Sequence, residues 1–170
     1  MIRFLLALLL PLVVQVEMAR AASPPVVDVE LVLAVDVSWS MDVEEQAIQR
    51  QGYVDVLRHP DVIAAITKGE WGRIAVTYVE WAGHGLDNTV VPWTIIESAE
   101  DAYAFAEQLD RAPIARMRRT SISSILQRSV DLFDNGIDGM RSVVDVSGDG
   151  PNNMGILVTA ARDEALAEGI

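Results

Sequence analysis

Asp36, Ser38 and Ser40 stand two residues apart in the run Asp36-Val37-Ser38-Trp39-Ser40, directly after an apolar segment. Asp149-Gly150 follows a second apolar segment, and Thr120 precedes a helical pattern. The set holds carboxylates and hydroxyls, with no histidine or thiol. Oxygen-only donors select hard cations, magnesium, manganese or calcium, over zinc or copper. Few carboxylates and several hydroxyls leave room for water, which suits magnesium best because it dehydrates reluctantly. In a D-x-S-x-S run, alternate residues face one side while the strand unwinds into a loop. Each residue also has a plainer reading: Asp36, Ser38 and Ser40 as a helix cap and turn, Thr120 as a cap, Asp149-Gly150 as a turn.

Such residues need a scaffold that brings them together. Residues 28–36 become continuously apolar from Leu31 to Val35, which predicts a central parallel strand. A helix is expected over 43–57, with Val43, Ala47, Val54 and Leu57 on its inner face, and a short helix over 61–67 after His59-Pro60. Residues 73–81 and 89–95 read as strands, the second an edge strand because it tolerates Pro92. A helix over 98–109 buries Ala102, Phe105, Ala106 and Leu109, with Ser98 and Asp101 as a capping pair. Residues 111–119, RAPIARMRR, form a basic loop, after which Thr120 or Ser121 opens a helix with Ile122, Ile125, Leu126, Ser129 and Phe133 inward. Residues 141–147 predict a buried strand, and 157–167 a last helix ending at Gly169. The expected fold is α/β: a doubly wound, mostly parallel sheet with one antiparallel edge strand and helices on both faces. Ligands of such folds bind beyond the carboxyl ends of the strands, where Asp36, Ser38, Ser40 and Asp149 all fall.

In order, spacing and element pattern, Asp36-Val37-Ser38-Trp39-Ser40, Thr120 and Asp149-Gly150 resemble the metal-ion-dependent adhesion site of von Willebrand factor type A domains. The stretches Val76-Thr77-Tyr78-Val79-Glu80-Trp81 and Asp145-Val146-Ser147-Gly148-Asp149-Gly150-Pro151-Asn152-Asn153 resemble an uncharacterised family of secreted bacterial proteins with that fold. The resemblance covers roughly residues 28–170. It implies one divalent cation, ligated directly by Ser38 and Ser40 and directly or through water by Asp36 and Asp149. Thr120 completes the set, with Ser121 as its substitute if the loop shifts by one residue. It also implies a protein partner whose acidic side chain fills the open metal position. Two features depart from the family pattern: Trp39 is bulky where a small or polar residue is usual, and the family fold continues with a further strand beyond Ile170. Ile170 itself reads as the start of that strand, so the last elements of the domain are expected to be missing here.

The chain of 170 residues suits one domain, and its net charge of -12 argues against nucleic acid as a partner. The absence of cysteine excludes disulfides, thiol catalysis and cysteine-bound zinc. Arg3, the apolar run Phe4 to Val14 and Ala19-Arg20-Ala21 predict a signal peptide over 1–21, hence export to the periplasm or beyond and no stable membrane span after cleavage. A short linker, 22–27, would lead into the domain at 28. An enzyme is not expected. Haloacid dehalogenase-type phosphatases also start with an aspartate after a first strand, but they need an acid two residues on, where this chain has Ser38. Nucleophile-elbow and phosphate-loop motifs are absent from the sequence. The reading is therefore a metal-dependent binding module. The alternatives are an envelope scaffold with a purely structural metal and, third, a metal-assisted hydrolase. Asp145, inside an apolar strand, is expected to orient a ligand, form a salt bridge or face outward.

Overall fold

The computed structural model describes residues 23–170, so the expected leader over 1–21 lies outside the described residues. Strand β2 (Val29–Asp36) is the centre of a sheet ordered β4-β3-β2-β6. It pairs in parallel with β3 (Ile74–Trp81) on one side and β6 (Ser142–Ser147) on the other. Strand β4 (Asp87–Ile96) closes the far edge antiparallel to β3. Pro92 lies on that edge as expected. The β3–β4 register shifts between Val76 and Val79, and there the Thr77 hydroxyl donates to Val91 O at 2.9 Å.

The period-two alternation of β2 feeds two cores. Leu33 and Val35 join Val76, Tyr78 and Val91 under α1 (Val43–Arg58), α2 (Pro60–Ile66) and α3 (Ala99–Arg111). Val32 and Ala34 join Val79, Trp81 and Ile125 under α4 (Ile122–Leu132), with α5 (Val158–Ala167) packed beside α4. Both faces of β2 are thus covered, at about 1.5–3 kcal/mol for each fully buried aliphatic side chain, which is why its apolar run is unbroken. The fold is the expected doubly wound, mostly parallel α/β sheet with one antiparallel edge strand and helices on both faces.

Three local expectations change. Val26–Val27, expected in the linker, form a short strand β1 that pairs with β5 (Asp138–Gly139). Buried Glu30 reinforces that pairing by accepting from Asn135 Nδ2 at 2.8 Å and Gly139 N at 3.1 Å. On α1, Val43 and Ala47 are exposed, while Gln46 and Arg50 share the buried face with Val54 and Leu57. Arg50 pairs with Glu80 and Gln46 Nε2 donates to Ser38 O, while Gln46 Oε1 is buried without a partner; hydrophobic periodicity therefore misplaced the first turns. Strand β6, expected to be buried, is half-covered; among the described strands it pairs with β2 alone, and Asp145 on it is exposed.

Candidate metal centre

The strand order reverses at β2. The chain leaves it through α1 and α2 to β3 on one side and later returns to β6 on the other. That reversal opens a crevice at the carboxyl ends of β2 and β6. Asp36 is the last residue of β2, and Asp149 lies two residues beyond β6.

Asp36 is fully buried. Its Oδ1 accepts the Ser38 N–H at 2.7 Å, which turns the chain sharply out of the strand. Its Oδ2 is buried without any hydrogen-bond partner. Burial pushes the Asp36 carboxyl above its ordinary range; Ser38 opposes the shift and the nearby Asp149 charge adds to it. An unpartnered buried carboxylate oxygen is costly, and a cation is the partner that would offset both the burial and the repulsion.

The hydroxyls continue the site. Ser38 Oγ and Ser40 Oγ are 2.7 Å apart, and Ser40 Oγ donates to Asp149 Oδ1 at 2.7 Å. Ser40 therefore spends its proton on Asp149, and Ser38 donates to Ser40. Gly148 makes the approach possible: a Cβ there would lie 3.1 Å from Asp36 Oδ2 and 3.3 Å from the Trp81 ring. Thr120 is buried, and a Cβ at Gly150 would lie 3.9 Å from its Oγ1. Thr120 thus borders the Asp149-Gly150 turn. Ser121 is used otherwise, as the N-cap of α4: it accepts from Ser124 N and donates to Met154 O at 3.0 Å. The structure links Asp36, Ser38, Ser40 and Asp149 through hydrogen bonds among the backbone and side chains and places Thr120 next to the Asp149-Gly150 turn. No group of three or more histidine, cysteine, aspartate or glutamate residues suited to a metal exists among the described residues. Two carboxylates here need hydroxyls to complete a shell, and the donor set fits a hard cation.

Sequence reasoning missed the residues that hold these donors in place. Asn153 clamps Thr120 from both sides: its Oδ1 accepts the Thr120 N–H at 3.1 Å and its N–H donates to Thr120 O at 2.9 Å. Asn152 Oδ1 accepts from Ser123 N at 3.3 Å. In the sequence both asparagines stand out only as the end of the stretch that resembles the uncharacterised family, with no role attached. Gln46 Nε2 donates to Ser38 O at 3.4 Å. Buried Arg50 pairs with buried Glu80 and donates to Leu109 O and Ala112 O at the end of α3. Glu80 Oε2 also accepts from Ala115 N at 3.3 Å, fastening the start of the 112–121 loop. Burial raises the Glu80 carboxyl, and the Arg50 guanidinium works against that shift. The signal available in the sequence was a glutamate inside an apolar strand. His59 has a structural role, its Nδ1 accepting from Asp61 N at the start of α2.

Trp39, between the two serines, is 52% exposed and carries the Arg118 guanidinium 4.3 Å from its ring centroid. The ring therefore stands at the rim of the crevice, under a cation.

Solved structures similar to this one include proximal thread matrix protein 1 from the mussel byssus, at TM-score 0.65 and 18% identity over 87% of this chain and 37% of that one. The same mussel protein with a zinc-occupied MIDAS motif gives TM-score 0.63 and 18% identity over the same shares. A von Willebrand factor type A protein from Catenulispora acidiphila gives TM-score 0.54 and 17% identity over 86% of this chain and 30% of that one. The chain thus spans 37% or less of the length of these structures. At such identities the likeness establishes the fold, that of von Willebrand factor type A domains. No curated protein matches the chain. Over residues 26–170 it matches the model of a family described as protein of unknown function, DUF1194, and to that family the chain belongs.

Proposed function

We propose that this domain is an exported, divalent-metal-dependent protein-binding module, in which an acidic group of the partner completes the metal shell. The observation that carries the reading is the buried, partnerless Asp36 Oδ2 beside the linked donors Ser38, Ser40 and Asp149, with Thr120 at the same crevice. Ser38 and Ser40 would bind the ion directly, Asp36 and Asp149 directly or through water, and Thr120 would close the shell. The bound ion supplies Lewis acidity and positive charge at an open coordination position; the chain's residues orient it and keep the donors fixed. Magnesium fits the oxygen donors best. The zinc in the mussel structure's MIDAS motif makes zinc a necessary member of the test. The acid that a phosphatase of this general layout needs two residues after Asp36 is replaced by Ser38, whose hydroxyl is bonded to Ser40. The reading is therefore of binding rather than catalysis. Export rests on the leader pattern of residues 1–21; among the described residues no helix is long and apolar enough to cross a membrane.

Thermal unfolding with magnesium, manganese, calcium or zinc tests the site. An ion at a hundred times its dissociation constant stabilises by about 2.7 kcal/mol, roughly 5–10 °C for a domain of this size. The shift is expected in the wild type and not in Asp36→Ala or Asp149→Ala. A wild type indifferent to all four ions would refute the reading. A shift without metal-dependent capture of carboxylate peptides would leave the metal as a scaffold element.

A further inference from the structure

The loop of residues 112–121 is tied at four points to β3 and to the residues just beyond the ends of β2 and β3. Ala115 N donates to Glu80, Met117 N to Val37 O at 3.0 Å, and Ser121 N to Ala82 O at 2.7 Å. Arg118 O accepts from Gly83 N at 3.2 Å, an approach that requires glycine because a Cβ at residue 83 would lie 2.7 Å from that oxygen. Met117 also bridges to Ser38 in parallel. The segment that reads as a basic loop is thus held against the carboxyl ends of β2 and β3.

Its cations are not neutralised. Arg50, Arg58, Arg73, Arg111, Arg128 and Arg162 each pair with a carboxylate; Lys68, Arg116, Arg118, Arg119 and Arg141 pair with none among the described residues, and three of these five stand in this one loop. Arg116 is occupied, donating to Met41 O at 2.9 Å. Arg118 and Arg119 are exposed. Arg118 is held over Trp39, between the two candidate ligands Ser38 and Ser40. In a chain of net charge -12, an acidic partner is repelled by most of the surface. Arg118, unpaired and held over Trp39, with exposed Arg119 next to it in the chain, is a local exception, and pre-positioning of Arg118 lowers the entropy cost of binding.

We infer that Trp39, Arg118 and Arg119 form a second recognition subsite that selects a polyacidic peptide segment: one carboxylate on the metal, and a neighbouring carboxylate on the arginine rim. The inference rests on the metal-binding reading above for the first contact and on the rim geometry alone for the second. The subsite gives specificity that a bare metal site lacks, since any single carboxylate satisfies an open coordination position.

The test is fluorescence anisotropy of the full chain with two labelled peptides, Gly-Gly-Asp-Gly-Gly and Gly-Glu-Asp-Glu-Gly, in manganese or in EDTA. In manganese the wild type should bind the polyacidic peptide about tenfold tighter, and the margin should narrow as salt rises. Arg118→Gln with Arg119→Gln should bring the two affinities together while leaving the metal-induced melting shift intact. Trp39→Ala should do the same in part. Equal affinities in the wild type, or a preference that survives the double variant, would overturn the subsite. A preference that persists in EDTA and in Asp36→Ala would uphold the rim and refute the metal contact. Failure of both peptides to bind would refute both.

Discussion

Ser40 Oγ donates to Asp149 Oδ1 at 2.7 Å across 109 residues of sequence, so a loop after the first long strand and a loop after the last strand share one proton. Beneath that bond lies Asp36 Oδ2, with no partner. Asp36→Asn preserves the oxygen that accepts the Ser38 N–H and removes the buried charge. In chelator the variant should be as stable as the wild type or more so, because a buried charge without a partner is destabilising. With metal present the order should invert, since only the wild type gains the ion. Paired melts in EDTA and in magnesium or manganese measure this, and a variant that is less stable in EDTA would show that the carboxylate is already satisfied.

The Arg50–Glu80 pair predicts a larger effect. Both side chains are buried, and between them they hold the end of α3 and the start of the arginine loop. Glu80→Gln leaves a buried guanidinium unpaired and should cost about 3–5 kcal/mol in urea unfolding. Replacing both with apolar residues of similar volume, Arg50→Met with Glu80→Leu, should cost less than the single change. It should nevertheless loosen the 112–121 loop, seen as faster amide exchange at Ala115.

Asp28 makes stability depend on pH. Its carboxylate accepts from Trp71 N at 2.9 Å and Arg73 N at 3.1 Å, and a Cβ at Gly69 would lie 2.2 Å from Oδ2. The Trp71 hydrogen bond above all holds its pKa below the ordinary 3.8. The folded state thus binds its proton less readily than the unfolded chain. Its contribution is complete above pH 3.8 and lost as pH falls through the depressed folded value. Asp28→Asn should lower the urea midpoint at pH 7, and its deficit against the wild type should shrink as the pH is taken below 3.8. A deficit constant with pH would place the loss in packing rather than charge.

Arg119 is the non-glycine residue with a left-handed backbone among the described residues, at φ 69°. It stands immediately before Thr120. Such a conformation costs a non-glycine residue about 1–2 kcal/mol, partly offset for glycine by its extra freedom when unfolded. Arg119→Gly should therefore match or exceed the wild type in melting temperature, and Arg119→Val should fall below it. The order glycine, arginine, valine is the expected result; valine melting at or above arginine would mean that the loop rearranges.

The strands and most helices were legible because each has one dominant signal. The unbroken apolar run of β2 announced burial on both faces, and Ala102, Phe105, Ala106 and Leu109 marked the inner side of α3. The first turns of α1 were not legible, because Gln46 and Arg50 are buried by partners that lie 8 or more residues away, at Ser38, Glu80, Leu109 and Ala112. Hydrophobic periodicity cannot register a polar residue that is paired inside the fold. The five candidate ligands were visible as residue types near strand and helix ends. The Asn153 clamp on Thr120, and the cation held over Trp39, depend on tertiary approach and leave no local pattern.

The sheet's pairing also sets when the crevice comes into being. Among the described strands, only β3 and β4 can form a hairpin from neighbouring chain; β2 has parallel partners on both sides, and β6 is far from it in sequence. Local pairings close fast and distant parallel ones slowly, because the loop-closure entropy must be met first. The docking of β6 on β2, which brings Asp149 to Ser40, is thus a late event of folding. A half-folded chain would display its apolar strands but no cation site. On the proposed reading, metal uptake during refolding would report the docking of β6 on β2, and the ion would serve as a kinetic marker of that step.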